Sequence, residues 1–143
     1  MIILSVDLGD SRTGVAVCDK LEMLASPVTV IHERYVPNIL SQISRIAETT
    51  GAELIVVGHP KNMDGSEGER AEKCAAFARD LSEACGIETV LWDERLTTVS
   101  AHYALNETGV FGKKRKSVVD SVAAVMILQS YLDRRRIQNA QNI

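Results

Sequence analysis

Apolar and polar positions along this chain alternate, then run together, then recur at helical spacing, and each pattern marks an element. Residues 2–8 (IILSVDL) read as a strand with Ile3, Ser5 and Asp7 on one face. Residues 14–19 (GVAVCD) follow closely enough to be its hairpin partner, and 28–32 (VTVIH) make a third strand. Pro37 suits the first position of a helix. Ile39, Leu40, Ile43, Ile46 and Ala47 form that helix's apolar stripe, and Gly51 ends it. Residues 53–58 (ELIVVG) are nearly continuously apolar, the pattern of a central strand covered on both faces. Ser66 and Glu69 have capping-box spacing for a next helix. Ala71, Cys74, Ala75, Ala78, Leu81 and Cys85 line it, and Gly86 closes it. Residues 88–92 (ETVLW) are the last strand. A short helix is predicted near 98–107, ended by Gly109, then a basic loop and a long final helix from about 118 to 135.

This order predicts an α/β fold. Three close-spaced strands form an antiparallel meander, later strands join parallel to the first through helical crossovers, and helices flank a five-stranded mixed sheet. A chain of 143 residues suits one domain, 1–143. In such sheets the usual site is the crevice at the carboxyl ends of the parallel strands. The places to look therefore follow Asp7, Gly58 and Trp92.

Composition narrows the class. Hydrophobic residues make up 45% and charged residues 24%, ordinary for a soluble globular protein. No apolar run approaches the roughly 20 residues that span a bilayer. The start, MIILSVDLGD, lacks the basic region and cleavage site of a signal peptide and is expected to be a strand of the mature fold. A cytoplasmic protein with no membrane association is expected. Cys18, Cys74 and Cys85 are odd in number and have no CxxC spacing, which argues against zinc and disulfides. Net charge is −3, yet Lys113, Lys114, Arg115 and Lys116 form one basic run and Arg134, Arg135 and Arg136 another. On charge alone, a solvated surface and a nucleic-acid contact are equally good readings of the first run.

Three carboxylate-bearing places point to the expected crevice: Asp7, the Asp93–Glu94 pair in "WDERLTT", and Asp120 near the start of the last helix. Each has a plain structural reading: a strand-end turn, a loop cap, and the third residue of a capping box begun by Ser117. Together they repel by roughly 4 kcal/mol per pair at 4 Å and an effective dielectric near 20. A cation is expected to offset that. With carboxylate oxygens and no cysteine or histidine cluster, it is Mg²⁺ or Mn²⁺ rather than zinc. Such ions beside lysines and arginines are what phosphodiester hydrolysis requires.

The strings D-L-G-D-S-R-T-G (from Asp7), "GHPKNMDGSEGERA" (58–71), "DERLTT" (93–98) and "KKRKSVVDSVAAVMILQSYL" (113–132) closely resemble the YqgF (RuvX-like) family over nearly the whole chain. The resemblance implies an RNase H-like fold related to Holliday-junction resolvases, and a nuclease maturing the 5′ end of pre-16S ribosomal RNA. By position it implies that Asp7, Glu94 and Asp120 are catalytic and metal-binding. Strand alternation admits only one of Asp93 and Glu94 to the crevice; the family pattern points to Glu94 and leaves Asp93 secondary. Arg12 lies in a loop framed by Gly9 and Gly14, which let the backbone approach a ligand. Binding a scissile phosphate and relieving the acidic cluster are both open to Arg12, and to Arg95. Asn62 and the run Lys113, Lys114, Arg115 and Lys116 complete the expected nucleic-acid contacts. His59 departs from the apolar residue usual at its place, and a structural role is expected for it.

Pre-rRNA is the favoured partner, with the small ribosomal subunit as a further one and branched DNA as the alternative; a monomer and a homodimer are both compatible. Two other classes compete. A nucleic-acid-binding or ribosome-assembly module would keep the fold without chemistry. A phosphotransferase of the actin and sugar-kinase type shares the first hairpin but needs two such domains, and 143 residues hold one.

Overall fold

The computed structural model describes residues 1–97 and 112–141, and the side chains at 112–121 and 141 lie outside that description. The strands are β1 (Ile3–Asp7), β2 (Arg12–Cys18), β3 (Ala25–His32), β4 (Leu54–His59) and β5 (Glu88–Asp93). The helices are α1 (Val36–Thr50), α2 (Glu69–Cys85) and α3 (Gly112–Gln141), with a 3₁₀ turn at Glu94–Leu96. The sheet order is β3-β2-β1-β4-β5. β1, β2 and β3 form the antiparallel meander, and β4 joins β1, and β5 joins β4, in parallel. This is the mixed sheet expected from the chain's pattern.

Alternation along β1 divides the core in two. Leu4, Val6 and Leu8 pack with Ile39, Ile43, Phe77 and Leu81 of α1 and α2. Ile3 packs on the other face with Ala124, Ile127, Leu128 and Leu132 of α3. Every residue of β4 is buried, as befits a strand covered by both layers. Gly51 and Gly86 end α1 and α2 in the left-handed conformation, φ 74° and 70°. There, lacking a Cβ, glycine bears no steric penalty. Among the described residues, no helix is long and apolar enough to cross a membrane.

Several local expectations are corrected. The final helix begins at Gly112, so the basic run 113–116 forms its first turns rather than a loop. Lys and Arg propagate a helix well, and nothing in 112–118 breaks one. Position 117 therefore lies inside α3 rather than at its N-cap, and position 120 lies two turns inside it. The capping box at Ser66 does not form: the N-cap of α2 is Gly68. Ser66 is diverted to Asp64, whose Oδ1 accepts from its N–H at 2.9 Å and its hydroxyl at 2.6 Å. β3 extends back to Ala25 through Pro27, which an edge strand tolerates. Phe77, absent from the predicted α2 stripe, is buried, while Cys85 is half-buried. The helix near 98–107 and its end at Gly109 lie outside the described residues.

Candidate active site

Three parallel strands deliver the site. β1, β4 and β5 end together, with Gly58 level with Trp92 and His59 level with Asp93. Asp7 closes β1 opposite Gly14 of β2. The chain then turns so sharply that a Cβ on Gly9 would lie 2.2 Å from the Arg12 carbonyl oxygen. Only glycine fits there. The turn makes Arg12 the first residue of β2, two residues before the Gly14 that faces Asp7, with its Cα level with His32 on the far side.

Asp93 and Glu94 divide their work. The Asp93 carboxylate accepts from the Arg95 backbone N–H at 3.0 Å, capping the 3₁₀ turn. It also takes the Arg95 side chain at both Nε and Nη2, the latter at 2.7 Å. That pairing holds its carboxyl below the usual range. Glu94 instead lies over β4. A Cβ on Gly58 would meet the Glu94 carboxyl carbon at 3.1 Å and Ile127 Cδ1 at 2.8 Å. Burial, and then the neighbouring charge of Asp7, push the Glu94 carboxyl up to about 7, against a smaller opposing pull from Arg70.

The third element is α3. Ser5 Oγ donates to the Ala124 carbonyl at 2.7 Å. Farther along, Gln129 accepts from the Ala25 N–H and Arg135 pairs with Glu22, so α3 runs antiparallel to β1. From Ser5 to Asp7 a strand advances about 6.6 Å. From Ala124 back to position 120 a helix covers about 6 Å. The backbone at 120 therefore stands level with Asp7. The side chains of Asp120, Lys113, Lys114, Arg115 and Lys116 lie outside the described residues.

The remaining expected residues fall into two groups. Arg12 and Arg95 stand at this carboxyl edge with the two carboxylates. Asn62 belongs to the loop after β4, where its Nδ2 donates to Ser66 Oγ at 3.0 Å. His59 is buried with Nε2 2.7 Å from Glu67 Oε1, out of hydrogen-bond alignment, as suits a structural residue. Thr97 accepts from Trp92 Nε1 at 3.0 Å. Two participants escaped the sequence reading. Gly58 makes room for Glu94. Arg70, one residue into α2, donates to the Leu8 carbonyl at 3.3 Å and bears on Glu94. The only sequence signals were a glycine closing an apolar strand and an arginine in a first helical turn, both commonplace.

Among the described residues, no three His, Cys, Asp or Glu side chains form a metal-binding group. The pair that is described fits a hard divalent cation. Two partly buried carboxylates lie within reach of each other's charge, and burial, then the charge of Asp7, makes Glu94 resist ionisation. Burial pushes the nearby Cys74 thiol up to about 11.

A family model described as "RuvX: Holliday junction resolvase" matches residues 1–134. The chain belongs to this family. Among its relatives in the RuvX family, a protein of Syntrophus aciditrophicus (strain SB) is 44% identical over 133 residues, 93% of this chain and 89% of that protein. One of Desulfitobacterium hafniense (strain DSM 10664 / DCB-2) is 42% identical over 142 residues, 99% of each. Both carry the name "Putative pre-16S rRNA nuclease". Among solved structures, Thermus thermophilus RuvC in complex with Holliday junction substrate superposes with a TM-score of 0.58 at 14% identity, covering 94% of this chain and 96% of that one. The fowlpox virus Holliday junction resolvase gives 0.51 at 14%, covering 94% and 99%. These likenesses establish the RNase H-like, RuvC-type fold of this RuvX-family chain.

Proposed function

We propose that this RuvX-family nuclease hydrolyses phosphodiester bonds at the 5′ end of precursor 16S rRNA, with Asp7, Glu94 and Asp120 holding Mg²⁺ or Mn²⁺. One observation carries the reading: at the carboxyl edge the partly buried Glu94 carboxyl stands within reach of the Asp7 charge, which pushes it up. Such a pair is costly to fold unless a cation joins it. The names of the relatives point to the RNA. When bound, the ion supplies Lewis-acid polarisation of the phosphoryl oxygen and an activated water.

The chain's own residues do the rest. Gly58 lets Glu94 lie inward, and Asp93 fixes the 3₁₀ turn that carries it. Gly9 and Gly14 bring the backbone beside Asp7 close to substrate. Arg12 and Arg95 are suited to hold phosphate oxygens through paired N–H groups. Arg95 is already aimed by its fork on Asp93. Lys113, Lys114, Arg115 and Lys116, on the helix that carries Asp120, take flanking phosphates. A 5′ end needs one site, so a monomer suffices, whereas a two-fold junction needs two.

The test offers purified protein an RNA spanning the precursor 5′ end and a four-way DNA junction, each with Mg²⁺ and with chelator. Cleavage of the RNA, dependent on the metal, is expected. Cleavage of the junction alone would move the assignment to a resolvase. Binding of either without cleavage would leave an assembly module.

Gly58→Ala separates positioning from stability. The added Cβ crowds both Ile127 and Glu94. A loss of about 1–3 kcal/mol of stability is expected, with cleavage down about tenfold or more through the displaced carboxylate. Adding Ile127→Val removes the Cδ1 clash. Thermal denaturation should then recover while the cleavage rate does not. Recovery of both would show that Glu94 had not been moved.

A further inference from the structure

We infer that Met63 is a wedge that enters the base stack of the substrate next to the cleaved phosphate. The inference rests on the nucleic-acid reading above and adds a binding contact to it. Met63 is 89% exposed, the most exposed of the large apolar side chains in the described residues. A lone exposed methionine is ordinary; its mounting is what sets this one apart. The loop beneath it is fastened to itself. Asn62 N–H donates to the Ser66 carbonyl and Gly65 N–H to the Asn62 carbonyl, both at 2.9 Å. Asp64 grips Ser66 through its N–H and hydroxyl. Gly65 holds φ at 89°, a left-handed turn that suits glycine.

The loop is also fastened to the site. Arg95 Nη1 donates to the Met63 carbonyl at 3.3 Å, while the same guanidinium is forked onto Asp93. Arg95 directly follows Glu94, so a single side chain ties Met63 to the turn that carries the carboxylate. Other exposed apolar side chains, Leu21, Met23 and Leu24, sit on the β2–β3 turn at the opposite end of the sheet. Met63 instead stands at the carboxyl edge on a hydrogen-bonded loop that also carries Lys61 and is tied to Arg95, and it is far more exposed than Leu96, at 51% the apolar side chain that follows Arg95 in the 3₁₀ turn. An unbranched, polarisable thioether on a fixed mount between phosphate-binding cations has the properties of a side chain that parts stacked bases. The ligand is a base step in paired nucleic acid, RNA or DNA, and the group contributes by unstacking it.

The experiment compares wild type, Met63→Ser and Met63→Leu on two Mg²⁺-containing substrates of identical scissile sequence. One is a bulged RNA hairpin and the other the same RNA single-stranded, each with 2-aminopurine beside the scissile bond. A DNA hairpin of the same design reports whether the contact extends to DNA. Met63→Ser should cut the hairpin about tenfold more slowly and lose the fluorescence rise on binding. It should cut the single strand like wild type, and Met63→Leu should restore the hairpin. Wild-type rates and fluorescence from Met63→Ser would overturn the wedge alone. Equal losses on both substrates would also overturn it, by showing a merely structural side chain. A wild type inert on every substrate would overturn the nuclease reading and the wedge with it.

Discussion

Asp7→Asn is expected to abolish strand cleavage, lowering the rate by about 10³-fold or more, which corresponds to about 4 kcal/mol of transition-state stabilisation. The substitution keeps the size of the side chain and takes away its charge. Asp7 ends β1 at the centre of the carboxyl edge, paired with Gly14 on β2. Its charge is the larger of the two carboxylate charges, with that of Asp93, that raise Glu94 among the described side chains. A neutral amide there weakens the hold on any divalent ion and leaves the fold's core untouched, since Asp7 is only half-buried. Nucleic-acid affinity should be retained, or rise slightly, because a negative charge has been removed from the path of phosphates. Cleavage by Asp7→Asn is followed on labelled RNA in excess Mg²⁺, and binding by gel shift in chelator. Equal cleavage by the two proteins would remove Asp7 from the chemistry and, with it, the proposed trio. Loss of binding in parallel with cleavage would instead mark Asp7 as part of the fold or the docking surface.

How far the residues alone reveal this site depends on how local each cause is. The central position of β4 is legible because burial on both faces demands an unbroken apolar run, and 53–58 is one. The face of β1 that carries Asp7 follows from a period of two, and Ser5 meets α3 on that face. The ends of α1 and α2 follow from single glycines. Charge runs are less legible, since Lys and Arg serve a helix as well as a loop; hence 113–116 opens α3 instead of preceding it. Ser66 shows the same competition at one residue. Its spacing to Glu69 favours a cap, but Asp64 two residues earlier captures it first. The choice between Asp93 and Glu94 was open to alternation alone. It turns on the local fork between Asp93 and Arg95 and on space above Gly58. The parts that Gly58 and Arg70 play were invisible for a different reason: each acts on residues brought near by other strands and helices, and no spacing in the sequence encodes that.

Glu94→Gln should make the metal-free protein more stable while making it inactive. The sign follows from where the proton resides. The Glu94 carboxyl has an ordinary value of 4.5 and stands at about 7 in the folded chain. Below about 4.5 both folded and unfolded chains keep the proton, and the group has no effect on stability. Between the two values the unfolded chain releases it and the folded chain does not, so stability falls as pH rises. Above about 7 the folded chain carries the full burden of a buried charge facing Asp7. Allowing for the solvent that reaches this partly exposed group, that burden is about 2 kcal/mol, or about 4–8 °C in melting temperature for a chain of this size. Glutamine has no charge to bury, so in chelator at pH 8.5 the variant should melt higher by that amount. At pH 5 the gap should shrink to about a quarter. Saturating Mg²⁺ should reverse the order, since an ion held between carboxylates stabilises wild type by mass action and loses a ligand in the variant. A gap that stays constant from pH 5 to pH 8.5 would show that glutamine merely packs better. A wild type whose melting temperature ignores Mg²⁺ would show that these carboxylates do not gather around a cation, and that their mutual repulsion is borne for some other end.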